Sequence, residues 1–312
     1  MKRLFHVILV LLMSQWAIGN EPSSICIVSY NAENLFHPDC DSINPDTSFT
    51  PQGKRHWSYT RYYRKVENIA RVLTNIGGWN GVDIVGLQEV ESAACVKRLC
   101  YTLRRGEYDY VHYDSPDSRG IDVALIYRKA KFTPILSNRL PVDLGDQPTR
   151  DILYVCGLTE GYDTLHLLVC HLPSQLGGAA ETEWKRAEAK RVLQAAVDSI
   201  LSAQSGARII VMGDMNSSPM DDIRGLSNRM MAFGNAGTHK HQGRWTCLDQ
   251  FYTSPALSKA SVCIYDASWI QESDEKYLGT KPKRCYIGYR YQDGFSDHLP
   301  IVMMISESVV AR

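Results

Sequence analysis

The chain has 312 residues, with 34 Lys plus Arg against 34 Asp plus Glu and 44% hydrophobic residues. That length can bury a large α/β core. A formal net charge of zero gives no global electrostatic support for nucleic-acid binding and leaves only a local basic groove open. Nine Cys is an odd number, so a fully paired disulfide framework is excluded.

The N-terminus, MKRLFHVILVLLMSQWAIG, places Lys2 and Arg3 before an apolar run over 4–13 and a small-x-small site at Ala17-Ile18-Gly19. This is the layout of a secretory signal peptide, and the run is too short to span a membrane. The expectation is a leader over 1–19, cleaved near Gly19, and an exported protein that is periplasmic or extracellular. An uncleaved anchor or a buried helix is the other reading of the same run. Cys26 follows Ser23-Ser24-Ile25, which lacks the residues of a lipoprotein signal, and no later stretch is long and apolar enough to cross a membrane.

Seven apolar, β-branched runs follow, at 24–31, 82–89, 121–128, 152–158, 163–171, 207–214 and 299–306. Runs this continuous read as central strands covered on both faces. Between the first two, Tyr62, Val66, Ile69, Leu73 and Ile76 recur at helical spacing over 58–76 and stop at Gly77-Gly78. A second helix is expected over about 180–203, with Ala189, Leu193, Ala196, Val197 and Ile200 on one face. Strands outnumber helices and no repeat or linker is visible over 20–312. Packed sheets with helices outside, in one domain and as a monomer, fit better than a simple alternating βαβ fold. Cys156 and Cys170 sit inside apolar runs and read as buried small hydrophobes, whereas Cys95 and Cys100 are separated by a helix-like segment and could pair.

Four of these runs end on chemically active side chains: Asn31, Glu89, His171 and Asp214. Asp and Asn are ordinary turn residues, so Asp214 and Asn216 in RIIVMGDMNSSP could simply reverse the chain. Four such ends suggest instead a shared cavity at one sheet edge.

The ordered set SYNAENLF, GLQEVE, CHLPSQ, GDMNSSP, CLDQFYTS and FSDHLP, spread over 29–300, resembles the endonuclease/exonuclease/phosphatase superfamily. That superfamily includes pancreatic-type deoxyribonucleases, apurinic endonucleases, neutral sphingomyelinases and inositol polyphosphate phosphatases. The resemblance implies an α/β four-layer sandwich, with two mixed sheets face to face, helices outside and the site at one edge. It also implies hydrolysis of a phosphodiester or phosphomonoester by water attacking phosphorus in line.

Such chemistry must neutralise phosphate charge, activate water and stabilise the leaving oxygen. The resemblance gives Asp214 the role of activating water, Asn216 that of donating to a phosphate oxygen, and Asp249 and His298 that of a carboxylate–histidine pair. His171 becomes the second histidine on the phosphate or leaving oxygen. Mg²⁺, with Mn²⁺ or Ca²⁺ as substitutes, is the implied cofactor, because it takes oxygen ligands and needs only one or two carboxylates. Glu89, Asn31 and Asp297 are its candidate ligands, and Glu33 would act through water. Arg150 is a candidate phosphate contact, with an exposed salt bridge as the plain alternative. Arg119 is a weaker one, since Arg119-Gly120 also reads as a turn. Ser174 lies after His171 without a nucleophile elbow and reads as loop structure. Trp245 is open to stacking on a base or sugar, or to packing. The substrate class stays open among nucleic acid, lipid and phosphorylated small molecules. A sphingomyelinase-type lipid enzyme and an inactive phosphate-binding protein on the same fold are the competing functions.

Overall fold

The computed structural model describes residues 24–39, 46–161, 163–220, 222–234 and 236–306. The expected leader and Cys40 lie outside the described residues. In chain order the first strands are β1 (Ser24–Leu35), β2 (Ile84–Val90), β3 (Tyr108–His112), β4 (Asp122–Arg128), β5 (Phe132–Leu140), β6 (Ile152–Thr159), β7 (Thr164–His171), β8 (Arg208–Asp214) and β9 (Ser227–Asn228). There follow β10 (His239–His241), β11 (Arg244–Thr246), β12 (Asp249–Thr253), β13 (Ser261–Ile264), β14 (Gln271–Ser273), β15 (Thr280–Pro282), β16 (Tyr286–Ile287), β17 (Arg290–Tyr291) and β18 (Ile301–Ser306). The helices are α1 (Tyr59–Gly77), α2 (Ala93–Leu103) and α3 (Glu183–Ala203).

Two six-stranded sheets result, in the orders β13-β18-β1-β2-β4-β3 and β5-β6-β7-β8-β12-β9. Each is mixed, with a single parallel pair, β1–β2 in the first and β7–β8 in the second. A parallel pair cannot be closed by a hairpin and requires a crossover. The long helices α1 and α3 are those crossovers. Every other pairing within the two sheets is antiparallel.

Alternation along the strands separates three apolar layers. Ile25 and Ile27 of β1, Leu165 and Leu167 of β7, and Ile210 and Met212 of β8 meet between the sheets. Cys26 and Val28 face the other way, onto Tyr62, Val66, Ile69 and Leu73 of α1 and Val96 and Leu99 of α2. Leu168, Ile209 and Val211 pack on Ala189, Leu193 and Val197 of α3. Helix, sheet, sheet and helix therefore form the expected four layers, each fully buried Leu, Ile or Val contributing about 1.5–3 kcal/mol. The Ser58 side chain caps α1 by accepting from Arg61 N–H, and the helix stops at Gly78 with φ 55°.

All seven expected strands and both expected helices are present, shifted by three residues or fewer at most ends. The edge strand β5 was hidden by its pattern: Ile135 and Leu136 are exposed, and Pro134 sits at a register shift. Cys170 is fully buried and Cys156 half-buried, and all eight described cysteines are free, including Cys95 and Cys100 in α2. Among the described residues no helix is long and apolar enough to cross a membrane.

Gly213 is the tightest point of the β7–β8 pair. Its φ is 145°, and a Cβ there would lie 1.8 Å from the Cys170 carbonyl oxygen. Gly213→Ala is expected to lower the unfolding free energy by more than about 2 kcal/mol. Gly206→Ala, where a Cβ meets nothing within 4 Å, should change it by less than about 0.5 kcal/mol. Urea unfolding followed by circular dichroism checks both.

Candidate active site

Sheet register assembles the centre. In the parallel pair β7–β8, His171 lies beside Asp214, and in the antiparallel pair β8–β12, Asp249 lies opposite Asp214. Three functional side chains thus stand in one row across three strands, at the spacing of neighbouring strands. His298, in the loop before β18, completes the row: its Nδ1 lies 2.7 Å from Asp249 Oδ2, and its Nε2 3.8 Å from Asp214 Oδ2. His171 Nε2 approaches the same Asp214 oxygen at 3.6 Å. All four residues are buried.

The first sheet reaches this row through Asn31. Its amide nitrogen donates to Asp214 Oδ2 at 3.2 Å, and its amide oxygen accepts the Glu33 N–H at 2.9 Å. Glu89 lies at the β-bulge between Gln88 and Val90, with φ 59°. A bulge re-aims a side chain, and here the carboxylate takes the Asn34 N–H at 3.0 Å. Glu33, Asn34 and Asn216 also have positive φ, so unusual backbone conformations gather at this edge.

The charges divide unevenly. Burial opposes protonation of His298, but Asp249, Asp214 and Asp297 outweigh it and raise its pKa well above the usual value. Burial, with Arg150, Arg119 and His298 nearby, holds His171 well below it. Burial and the neighbouring carboxylates lift Asp214 to about 6 against the pull of His298. Glu33 is pushed up to about 7 by burial and Asp297, against Lys65 and Arg284. Asp297 goes the other way despite burial, because His298 and Arg284 favour its charged form.

Oxygen donors dominate where a metal is expected. The Glu89 carboxylate and the Asn31 amide suit Mg²⁺, Mn²⁺ or Ca²⁺, which take hard oxygen ligands and keep waters. Burial is the main reason that Asp214 and Glu33 are raised, with the neighbouring Asp249 and Asp297 carboxylates adding to it, and a cation beside them would favour their charged forms. Asp297 is tied to Arg284 Nη2 at 2.5 Å, and Glu33 accepts the Cys285 N–H at 2.6 Å. A separate trio of ligand-type side chains, His112, Asp114 and Asp122, has atoms within 4.8 Å of one another. Within it, Asp122 already accepts the Ser115 N–H and faces His112 Nε2 at 3.2 Å.

Arg150 differs from expectation. It is buried, pairs with Asp117 at 2.8 Å and donates to the carbonyls of His171 and Leu172 at 3.2 and 2.9 Å. With its guanidinium committed this way it braces the backbone of His171 rather than facing a phosphate, because that loop's carbonyls need partners once buried. Arg119 is 46% exposed in its side chain and reaches over Glu89 at 3.5 Å while donating to Asn34. The turn at Gly120 is present as well. Asn216 also keeps its turn role: its N–H donates to Asp214 Oδ1, and its amide donates to the Leu172 carbonyl. The Ser174 hydroxyl accepts the Leu176 N–H, as a loop residue does.

The supporting roles of Ser296, which stands inside FSDHLP, and of Thr238 emerge only in the fold. Ser296 donates its hydroxyl proton to the Asn31 carbonyl and accepts the His298 N–H, joining the first sheet to the histidine. The Thr238 hydroxyl accepts the N–H groups of Leu248 and Asp249. Nothing in their local sequence marks them beyond Ser296 standing two residues before His298.

Among solved structures, a truncated TDP2 from Caenorhabditis elegans is 18% identical with a TM-score of 0.58, covering 91% of this chain and 98% of that one. The human Nocturnin catalytic domain with bound sulfate is 16% identical with a TM-score of 0.56, covering 91% and 95%. A mannosyl-6-phosphatase of Bacteroides thetaiotaomicron is 14% identical with a TM-score of 0.55, covering 90% and 99%. These likenesses concern the fold, and no curated protein sequence matches. The sequence pattern of the Endonuclease/Exonuclease/phosphatase family, however, matches residues 26–307, from the third residue of β1 through the end of β18, and the chain belongs to that family.

Proposed function

We propose that this chain is a divalent-metal-dependent hydrolase of phosphate esters, acting after export from the cytoplasm. The observation that carries the reading is the row His171, Asp214, Asp249 and His298, bridged by Asn31 to the sheet that holds Glu89. Asp214 accepts a proton from a water aligned opposite the leaving oxygen. Its raised pKa keeps it basic enough for that transfer near neutral pH. His298, held charged and oriented by Asp249, stabilises negative charge on the phosphoryl group. His171, neutral at neutral pH, donates one hydrogen bond to a phosphoryl or leaving oxygen. Asn216 has a second amide hydrogen besides the one given to Leu172 and offers it to the phosphate. Arg119, at the exposed side of Glu89, draws anionic substrate inward.

Glu89 and Asn31 would hold Mg²⁺, with Asp297 and Glu33 close to them in charge. When bound, the cation supplies neutralisation of phosphoryl charge. Export rests on the N-terminal leader pattern over 1–19. Water rather than a side chain is the nucleophile in this reading, since Asp214 sits among groups suited to proton transfer and hydrogen bonding.

Hydrolysis of bis-p-nitrophenyl phosphate should stop in EDTA and return with Mg²⁺, Mn²⁺ or Ca²⁺; full turnover after thorough chelation removes the metal from the reaction. Asp214→Asn and His298→Ala should each lower kcat roughly 10²–10⁴-fold while the purified variants keep the wild-type circular dichroism spectrum. Near-normal turnover in either purified variant rejects the assignment.

The two histidines give a pH test in metal-free protein. NMR titration should find His298 protonating well above 6.5 and His171 well below it. Asp249→Asn should move His298 back towards 6.5. By linkage, the stability that charged His298 contributes is present in full below the unfolded value and is lost as pH rises through its folded value.

A further inference from the structure

Beside the catalytic row lies a cavity of about 790 Å³ that the reaction as described does not use. One wall is the loop after β7, with Ser174, Gln175 and Leu176, and the other is the β10–β11 hairpin, with His241, Arg244 and Trp245. Asn216 and His239 line it too and connect it to the centre. Asn216 is bonded to Asp214, and the His239 ring lies 4.9 Å from that of His298.

Both walls are held in place before any ligand arrives. Arg186 of α3, itself buried, donates to the carbonyls of Ala179, Pro173 and Ser174. Gln175 donates to the Asn216 carbonyl at 2.7 Å. Across the cavity, Lys240 pairs with Asp274 at 2.9 Å and Thr238 accepts from the strand that carries Asp249. A preformed cavity loses little ordering entropy on binding.

The lining chemistry selects among the substrates left open above. Hydroxyl, amide and imidazole groups are interleaved with the Trp245 indole and with Leu176, Pro219 and Leu248, a mixed lining that suits a ring bearing hydroxyl groups. Acyl chains need continuous apolar walls, and the hydrogen-bonding groups here interrupt them. The size falls in the range of about 300–1,000 Å³ typical of small-molecule sites. Burial and the neighbouring His298 lower His239 to about 4, so its neutral ring offers both a donor and an acceptor to a hydroxyl. Arg244, exposed and without an ion pair among the described residues, adds positive charge on the hairpin wall.

We propose that this cavity holds the organic half of the substrate, a hydroxylated ring of sugar or nucleoside type, with Trp245 against its face and His239 and His241 on its hydroxyls. The inference rests on the hydrolase reading and narrows its substrate class. It makes the β10–β11 hairpin the part of the chain that sets specificity.

The test compares four substrates with the full-length protein and Mg²⁺: glucose 6-phosphate, adenosine 5′-monophosphate, ring-free glycerol 2-phosphate and vesicles of sphingomyelin. At least one ring ester should show a KM tenfold or more below that of glycerol 2-phosphate, and which one separates sugar from nucleoside. Trp245→Ala and His241→Ala should each bring the two KM values together. Trp245 also packs against the core, so the exposed His241 gives a variant whose effect is free of that packing. Equal KM values for ring and ring-free esters overturn the proposal, as does a ratio unmoved by both variants or a preference for sphingomyelin. Isothermal titration of the two ring esters in EDTA reads the cavity without turnover. Binding lost in both variants, with neither these esters nor bis-p-nitrophenyl phosphate hydrolysed by wild type, would keep the cavity and reject the hydrolase. No binding at all rejects the cavity.

Discussion

The apolar interface between the two sheets is the constraint on which the site depends. Ile25, Ile27, Leu165, Leu167, Ile210 and Met212 hold the faces together, and Gly86 leaves room for the Met212 thioether. Close packing at that interface fixes where the strand ends emerge. Each sheet contains one parallel pair, and a parallel pair sends both carboxyl ends to the same edge. Packing the sheets with those edges together brings Asn31 and Glu89 of one against His171 and Asp214 of the other. The Asn31–Asp214 hydrogen bond spans the junction. A centre built this way is positioned by the hydrophobic core and by ladder register, and loops contribute only His298 and Asn216 to the groups around Asp214.

That origin explains which parts were readable from the chain alone. Apolar runs of eight or nine residues ending in Asn, Glu, His or Asp are visible without a structure, because burial on both faces demands continuous apolar sequence. The strands carrying those ends and the two long helices follow from the same pattern, whereas the four-layer order came from the resemblance to the superfamily. Weaker elements escaped for opposite reasons. β5 is an exposed edge whose Ile135 and Leu136 break the alternation, whereas β10 and β11 are three residues each and too short to show a period. The helix-like segment between Cys95 and Cys100 was visible, but α2 ends at Leu103, with Arg104 as its C-cap, and no glycine marks that end.

Side-chain contacts were legible to different degrees. The resemblance implied the Asp249–His298 pair, and the two side chains lie 2.7 Å apart. The partners of Arg150 were not legible: a guanidinium beside a strand reads the same whether it meets a phosphate or a backbone carbonyl. Only the fold reveals that the His171–Leu172 carbonyls and Asp117 occupy it. Ser296 and Thr238 belong to the same class of residue, small hydroxyls that satisfy buried backbone groups and thereby hold the reacting ones still. Their signal lies in tertiary contact, so no local pattern carries it.

Asp214 has a histidine on either side, and the difference between those histidines gives the row its direction. His298 has Asp249 on its far nitrogen, whereas the far nitrogen of His171, Nδ1, has no hydrogen-bond partner among the described residues. A carboxylate on one side and none on the other drives the two imidazoles to opposite charge states in equally buried surroundings. The centre therefore presents a fixed cation towards the Asp249 side and a neutral donor towards the Arg150 side. The β10–β11 hairpin packs His239 against the charged histidine, not the neutral one. A substrate ring lodged along that hairpin would set its phosphate next to the fixed positive charge, so ring recognition and charge stabilisation act from the same side of Asp214.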